Sequence, residues 1–128
     1  MGTIGVGVDI VDVPRFARVL ARHPKIVGRL FTQVEQFDAR ARPERLAARF
    51  AAKEAVLKSL HVGFGAAPWT SIEIRHDAVG APQVHLHGSA ALLAEQRGVD
   101  TLHVSLTHTD TTAAAFVIGS SKDVALER

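Results

Sequence analysis

Apolar residues near the N-terminus fall on every second position: Ile4, Val6, Val8 and Ile10 alternate with Gly5, Gly7 and Asp9. That period predicts a strand with one apolar face. Asp12 and Pro14 then open a helix, the first as a cap and the second with a preset φ. Phe16, Val19, Leu20, His23, Ile26 and Val27 keep helical spacing, and Pro24 ends or kinks the segment. A short helix is expected from Phe31 to Phe37. After the polar stretch from Asp38 to Glu44, Arg42 and Pro43 open a long helix reaching about Leu60, with Leu46, Phe50, Leu57 and Leu60 in one stripe. Gly63 and Gly65 break it. The runs WTSIEIR, from Trp69 to Arg75, and QVHLH read as strands joined by the turn HDAVGAP. Ser89 to Arg97 reads as a helix stopped by Gly98. TLHVSLT and AAAFVI supply the last two strands, and SSKDVALER is left as a loose tail. The order βααα-ββα-ββ favours a small single α+β domain over residues 1–119, with a largely antiparallel sheet packed against the long helix. Residues 120–128 form the tail.

One position in the long helix breaks the pattern. Lys53 falls within the apolar stripe of RFAAKEAVLKSL, with Arg49 one turn before it and Arg45 a turn before that. Like charges at this spacing repel, and a buried lysine needs a partner or loses its proton. No evident counter-charge is supplied by the chain, so the column Arg45, Arg49, Lys53 calls for an external anion.

Composition narrows the choice. The 128 residues suit one domain, with 47% hydrophobic residues and a net charge of only +2. That charge is uneven, however. Residues 1–60 carry about +5 and residues 61–128 about −3, which points the front half at an anionic partner. With no tyrosine and one tryptophan the chain offers few stacking surfaces, and no base-reading motif is present, which disfavours nucleic acid. No cysteine is present, which removes disulfides, thiolate metal sites and thiol nucleophiles. No apolar run is long enough for a membrane helix and no export signal is evident, so the cytoplasm is expected.

Four groups of residues offer chemistry. Asp9 interrupts an apolar strand on a face otherwise made of Gly5 and Gly7, which leaves room for a ligand to approach; it is either a hard-metal ligand or a strand-end cap. Glu54 and Lys58 lie one turn apart on the flank of the long helix, either an ordinary ion pair or part of a phosphate site served by a divalent cation. In HVSLTHT, Ser105 and Thr107 share one face of a strand that ends at His108. A hydrolase reading of that Ser/His pair lacks the G-x-S-x-G elbow, and ligand binding fits better. His85 and His87 have zinc-pair spacing but no third ligand. Finally Arg15, Arg18, Arg22 and Lys25 fall within about 80° on a helical wheel, a stripe of one sign suited to an acidic partner.

Three blocks, GVGVDIVDVPRF, RFAAKEAVLKSL and HVSLTHT, resemble in order and spacing the holo-acyl-carrier-protein synthases, small phosphopantetheinyl transferases. The resemblance implies transfer of 4′-phosphopantetheine from coenzyme A to a serine of apo acyl carrier protein, an activity of fatty acid biosynthesis. It implies Mg²⁺ on Asp9 and Glu54, and a catalytic Lys58. Coenzyme A would be held by Arg45, Arg49, Lys53, Gly63, Gly65, Ser105, Thr107 and His108. Carrier protein would dock on Arg15, with Arg18, Arg22 and Lys25 in the same stripe. A homotrimer with active sites between subunits is also implied. One departure stands out: the turn KSLHVGFG has His61 where the family often has glycine. The alternatives are a basic nucleic-acid module, which has no use for Asp9 and Glu54, and another magnesium-dependent nucleotide enzyme.

Overall fold

The computed structural model describes residues 2–122; the tail from residue 123 onward lies outside them. Five strands and five helices follow in the order β1 (Gly2–Asp12), α1 (Val13–Arg22), α2 (Ile26–Leu30), α3 (Gln33–Ala39), α4 (Pro43–Ser59), β2 (Ile72–His76), β3 (Pro82–Leu86), α5 (Gly88–Gln96), β4 (Thr101–His108) and β5 (Thr112–Ser121). All strand pairs are antiparallel, as expected, but they form two sheets: β1-β5-β4 and the hairpin β2-β3. The last strand includes Ser120 and Ser121, so it runs past the expected domain end at 119. Trp69–Ser71, expected to begin a strand, is a turn of 3-10 helix instead.

Local chemistry accounts for the boundaries. Asp12 accepts a hydrogen bond from the Arg15 N–H, and Pro14 lies in the first turn of α1. The break at Pro24 is real, with α1 ending at Arg22 and α2 beginning at Ile26. In α3 a capping box joins Thr32 and Glu35: each side chain accepts the other residue's N–H.

Helix α4 is the centre of the molecule. Ala51, Ala52, Ala55 and Val56 pack with Ile72, Ile74 and Val117 on one side. Leu46, Ala47 and Ala48 meet Phe16, Phe31 and Ala113 on the other. Phe16 stacks on Phe50 at 5.3 Å between centroids, and Phe50 lies 5.1 Å from Trp69.

The face of β1 that meets α4 is not its apolar one. Gly5, Gly7 and Asp9 point at the helix, whereas Val6, Val8 and Ile10 lie on the open face, where Ile10 is 69% exposed. A Cβ built on Gly7 would stand 1.9 Å from the carbonyl oxygen of Ala55, and one on Gly5 would stand 2.0 Å from that of Ser59. The space above these glycines, expected to admit a ligand, is filled by the backbone of α4. The open face continues across β5 and β4: register places Phe116 opposite Val8 and Ser105, and Ile118 opposite Val6 and His103.

Candidate active site

Backbone contact between β1 and α4 sets Asp9 beside the C-terminal half of the helix. Lys58 donates from Nζ to Asp9 Oδ1 at 3.0 Å and to the Val8 carbonyl at 2.9 Å. Glu54, one turn before Lys58, faces the same carboxylate. Burial, and then the charge of Asp9, push its carboxyl up to about 7, against the pull of Lys58. The two facing carboxyl groups form a hard-oxygen donor set suited to Mg²⁺, which keeps much of its shell in water or substrate phosphate. No cluster of three or more acidic, histidine or cysteine side chains occurs among the described residues. The sequence-derived trio Asp9, Glu54 and Lys58 is therefore brought together. A small cleft beside it, lined by Glu54, Leu57, Lys58, Val62, Gly63 and Phe64, extends to the glycine turn, where Gly65 has φ +83°.

The basic column divides. Lys53 is fully buried and its partner is in the chain: Nζ donates to Glu35 Oε1 at 2.7 Å and to the carbonyls of Trp69 and Ile72 at 3.0 and 2.6 Å. The expectation that Lys53 holds coenzyme A, and that nothing in the chain offsets its charge, is thus overturned. All three ammonium protons have protein acceptors and no surface is left for a ligand. Sequence reasoning missed Glu35, although T-x-x-E before an apolar position is a helix-start signal. Its Oε2 also accepts from the Ile74 N–H at 2.9 Å, so one carboxylate ties together α3, α4 and β2.

Arg45 and Arg49 do line a cleft. It has a volume of about 500 Å³, and Asp38, His76, Leu106 and His108 share its wall. Arg49 is 5% exposed, yet no carboxylate among the described residues bonds it. One terminal nitrogen donates to the Arg45 carbonyl at 3.2 Å, the other lies 3.3 Å from His76 Nδ1, and Nε has no hydrogen-bond partner among the described residues. Burial lowers the guanidinium's pKa, partly offset by the more distant Glu35 and Asp38. A buried guanidinium satisfied only by neutral acceptors suits an anionic ligand.

Two expected groupings do not form within one chain. At 100° per residue Arg49 and Glu54 lie about 140° apart around α4, so the arginine cleft and the carboxylate pair occupy different sides of the helix. Ser105 and Thr107 lie on the open face of the sheet, away from α4, while His108 borders the arginine cleft. Arg15, Arg18, Arg22 and Lys25 are all exposed, and none forms an ion pair among the described residues.

Residues 5–117 match the model of the 4′-phosphopantetheinyl transferase superfamily, and the chain belongs to that family. Within it, the chain is 48% identical over 124 residues to the holo-[acyl-carrier-protein] synthase of Frankia casuarinae, covering 94% of this chain and 100% of the relative. The crystal structure of the Neisseria meningitidis synthase aligns with a TM-score of 0.85 at 32% identity, over 94% of this chain and all of that one. The Helicobacter pylori synthase, solved in complex with coenzyme A, aligns at 0.82 and 27% identity, over 90% of this chain and 99% of that one.

Proposed function

We propose that this protein is a holo-[acyl-carrier-protein] synthase. It transfers 4′-phosphopantetheine from coenzyme A to a serine of apo acyl carrier protein, giving holo-carrier and adenosine 3′,5′-bisphosphate. The carrying observation is the convergence of Asp9, Glu54 and Lys58 where β1 meets α4, in a chain similar to such synthases over nearly its full length.

Asp9 and Glu54 would hold Mg²⁺, which when bound neutralises charge on the pyrophosphate. Lys58, half-exposed beside them, is placed to stabilise the leaving phosphate and to return a proton to it. Arg45, Arg49 and His108 form the anion-binding wall for the phosphates of coenzyme A, the ligand with which the Helicobacter relative was solved. The exposed stripe Arg15, Arg18, Arg22 and Lys25 docks the acidic carrier.

Separation of the arginine cleft from the carboxylate pair favours a site completed by a second copy. The open sheet face, with Val6, Val8, Ile10 and Phe116 exposed, is an apolar surface suited to such assembly. A homotrimer with sites between subunits satisfies both observations. No helix among the described residues is long and apolar enough to cross a membrane, in keeping with work in the cytoplasm.

The test is incubation with Mg²⁺, coenzyme A and apo carrier, followed by mass spectrometry of the carrier. Addition of one phosphopantetheine arm, lost in Glu54→Gln and on metal chelation, is expected. An unmodified carrier with wild-type protein would sink the reading.

A further inference from the structure

The arginine cleft contains a residue that neither the sequence motifs nor the family resemblance singles out. His76, at the end of β2, places Nδ1 3.3 Å from a terminal nitrogen of Arg49. Arginine can only donate, so Nδ1 is the acceptor and the neutral ring carries its proton on Nε2. Among the described residues the imidazole and the Arg45 carbonyl are the only hydrogen-bond partners of this guanidinium, which is nine-tenths buried and whose Nε has none. Two neutral acceptors therefore fix its plane without neutralising it.

We propose that His76 is a positioning residue for the donor substrate, holding the Arg49 guanidinium in the orientation that receives a phosphate group in the cleft. The inference rests on the coenzyme A reading of the site above. A carboxylate in place of His76 would orient Arg49 equally well but would spend its charge within the protein. A neutral imidazole orients it and leaves the charge for the ligand.

The surroundings favour that neutral form. Burial lowers the pKa of His76, and Arg49 and then Arg45, both from α4, lower it further. Asp38 of α3 and the adjacent Asp77 act in the opposite direction. His108, from the end of β4, shares the cleft wall. A protonated ring loses the Nδ1 acceptor and releases Arg49.

Asparagine can supply an acceptor oxygen near the place of Nδ1, whereas alanine cannot. The variants His76→Ala and His76→Asn separate orientation from bulk. Steady-state kinetics with coenzyme A and apo carrier, and calorimetric titration with adenosine 3′,5′-bisphosphate, read the effect. His76→Ala should raise KM for coenzyme A and Kd for the bisphosphate about tenfold, the order of one charge-assisted hydrogen bond. The KM for carrier protein should stay within about twofold, the spread of an untouched contact. In wild type both donor constants should rise at acidic pH as the ring gains its proton; His76→Asn should restore both constants at neutral pH and lessen that rise. Unchanged donor constants in His76→Ala would overturn the proposal, as would equal losses for donor and carrier, or failure of asparagine to rescue. Wild-type protein that binds neither coenzyme A nor the bisphosphate would overturn the function assigned to the cleft as well.

Discussion

Two buried or half-buried acids behave in opposite ways. Glu35 is an internal counter-ion: fully buried, it accepts from Lys53, Thr32 and Ile74. Removing one member of a buried pair strands the other charge and costs about 3–5 kcal/mol. Glu35→Ala should therefore lose a large share of the stability of a domain this size in a urea melt. The double variant Glu35→Gln, Lys53→Met, which leaves neither charge of this pair, should recover much of it. If Glu35→Ala melts like wild type, the pair is not the brace described. Glu54 instead sits where burial, and then the charge of Asp9, oppose its ionisation. Its carboxyl is raised from the ordinary 4.5 to about 7, so the folded state holds that proton more tightly than the unfolded chain does. This contribution is complete below pH 4.5 and is withdrawn as pH rises to about 7. In chelator, the Tm of wild type should fall across that window relative to Glu54→Gln. Parallel curves for the two proteins would show that Glu54 does not face Asp9 as described.

At the level of elements, β1 and α4 meet backbone to backbone, and this contact sets the distance between Asp9 and the residues of the helix. Alanine at Gly7 would meet the Ala55 carbonyl, an obstacle that no rotamer change relieves. Gly7→Ala should destabilise by more than the roughly 1–3 kcal/mol of ordinary overpacking. Gly28→Ala, where nothing lies within 4 Å of the new Cβ, should be neutral or slightly stabilising by thermal melt. Equal losses at both positions would refute the close approach. The elements themselves were largely legible, because period-two and helical runs in this chain are bounded by strong caps and breakers such as Asp12, Pro24 and Pro43. Which face of β1 turns inward was not. Small residues suit a helix above them as well as a ligand, and the apolar side of this strand is the open one. The partner of Lys53 was hidden for a related reason: Glu35 is 18 residues away, on another helix, and only the folded chain brings the two together. Asp9, Glu54 and Lys58 were legible as a group, since strand and helix each carry them in a short, distinctive pattern.

For the molecule as a whole, charge and shape divide the work. The exposed stripe on α1 and at Lys25 has no acidic partner among the described residues, so the attraction for an acidic carrier proposed for it would be screened by salt. The KM for carrier should rise with ionic strength in wild type and rise less in Arg18→Ala, Arg22→Ala. Identical salt responses would remove the stripe from docking. The placement of Arg49 and Glu54 on different flanks of α4 has a genetic consequence. If each reaction centre draws its arginine from one copy and its glutamate from the next, the two defects are recessive to each other. Arg49→Ala and Glu54→Gln proteins, each inactive alone, should complement after mixed refolding, because some junctions then pair an intact arginine with an intact glutamate. With random assortment in a closed ring, about one junction in four is whole. A mixture that stays inactive would mean that one chain builds its reaction centre unaided. A mixture that regains roughly that fraction would mean that two damaged copies of the gene can together supply what neither encodes.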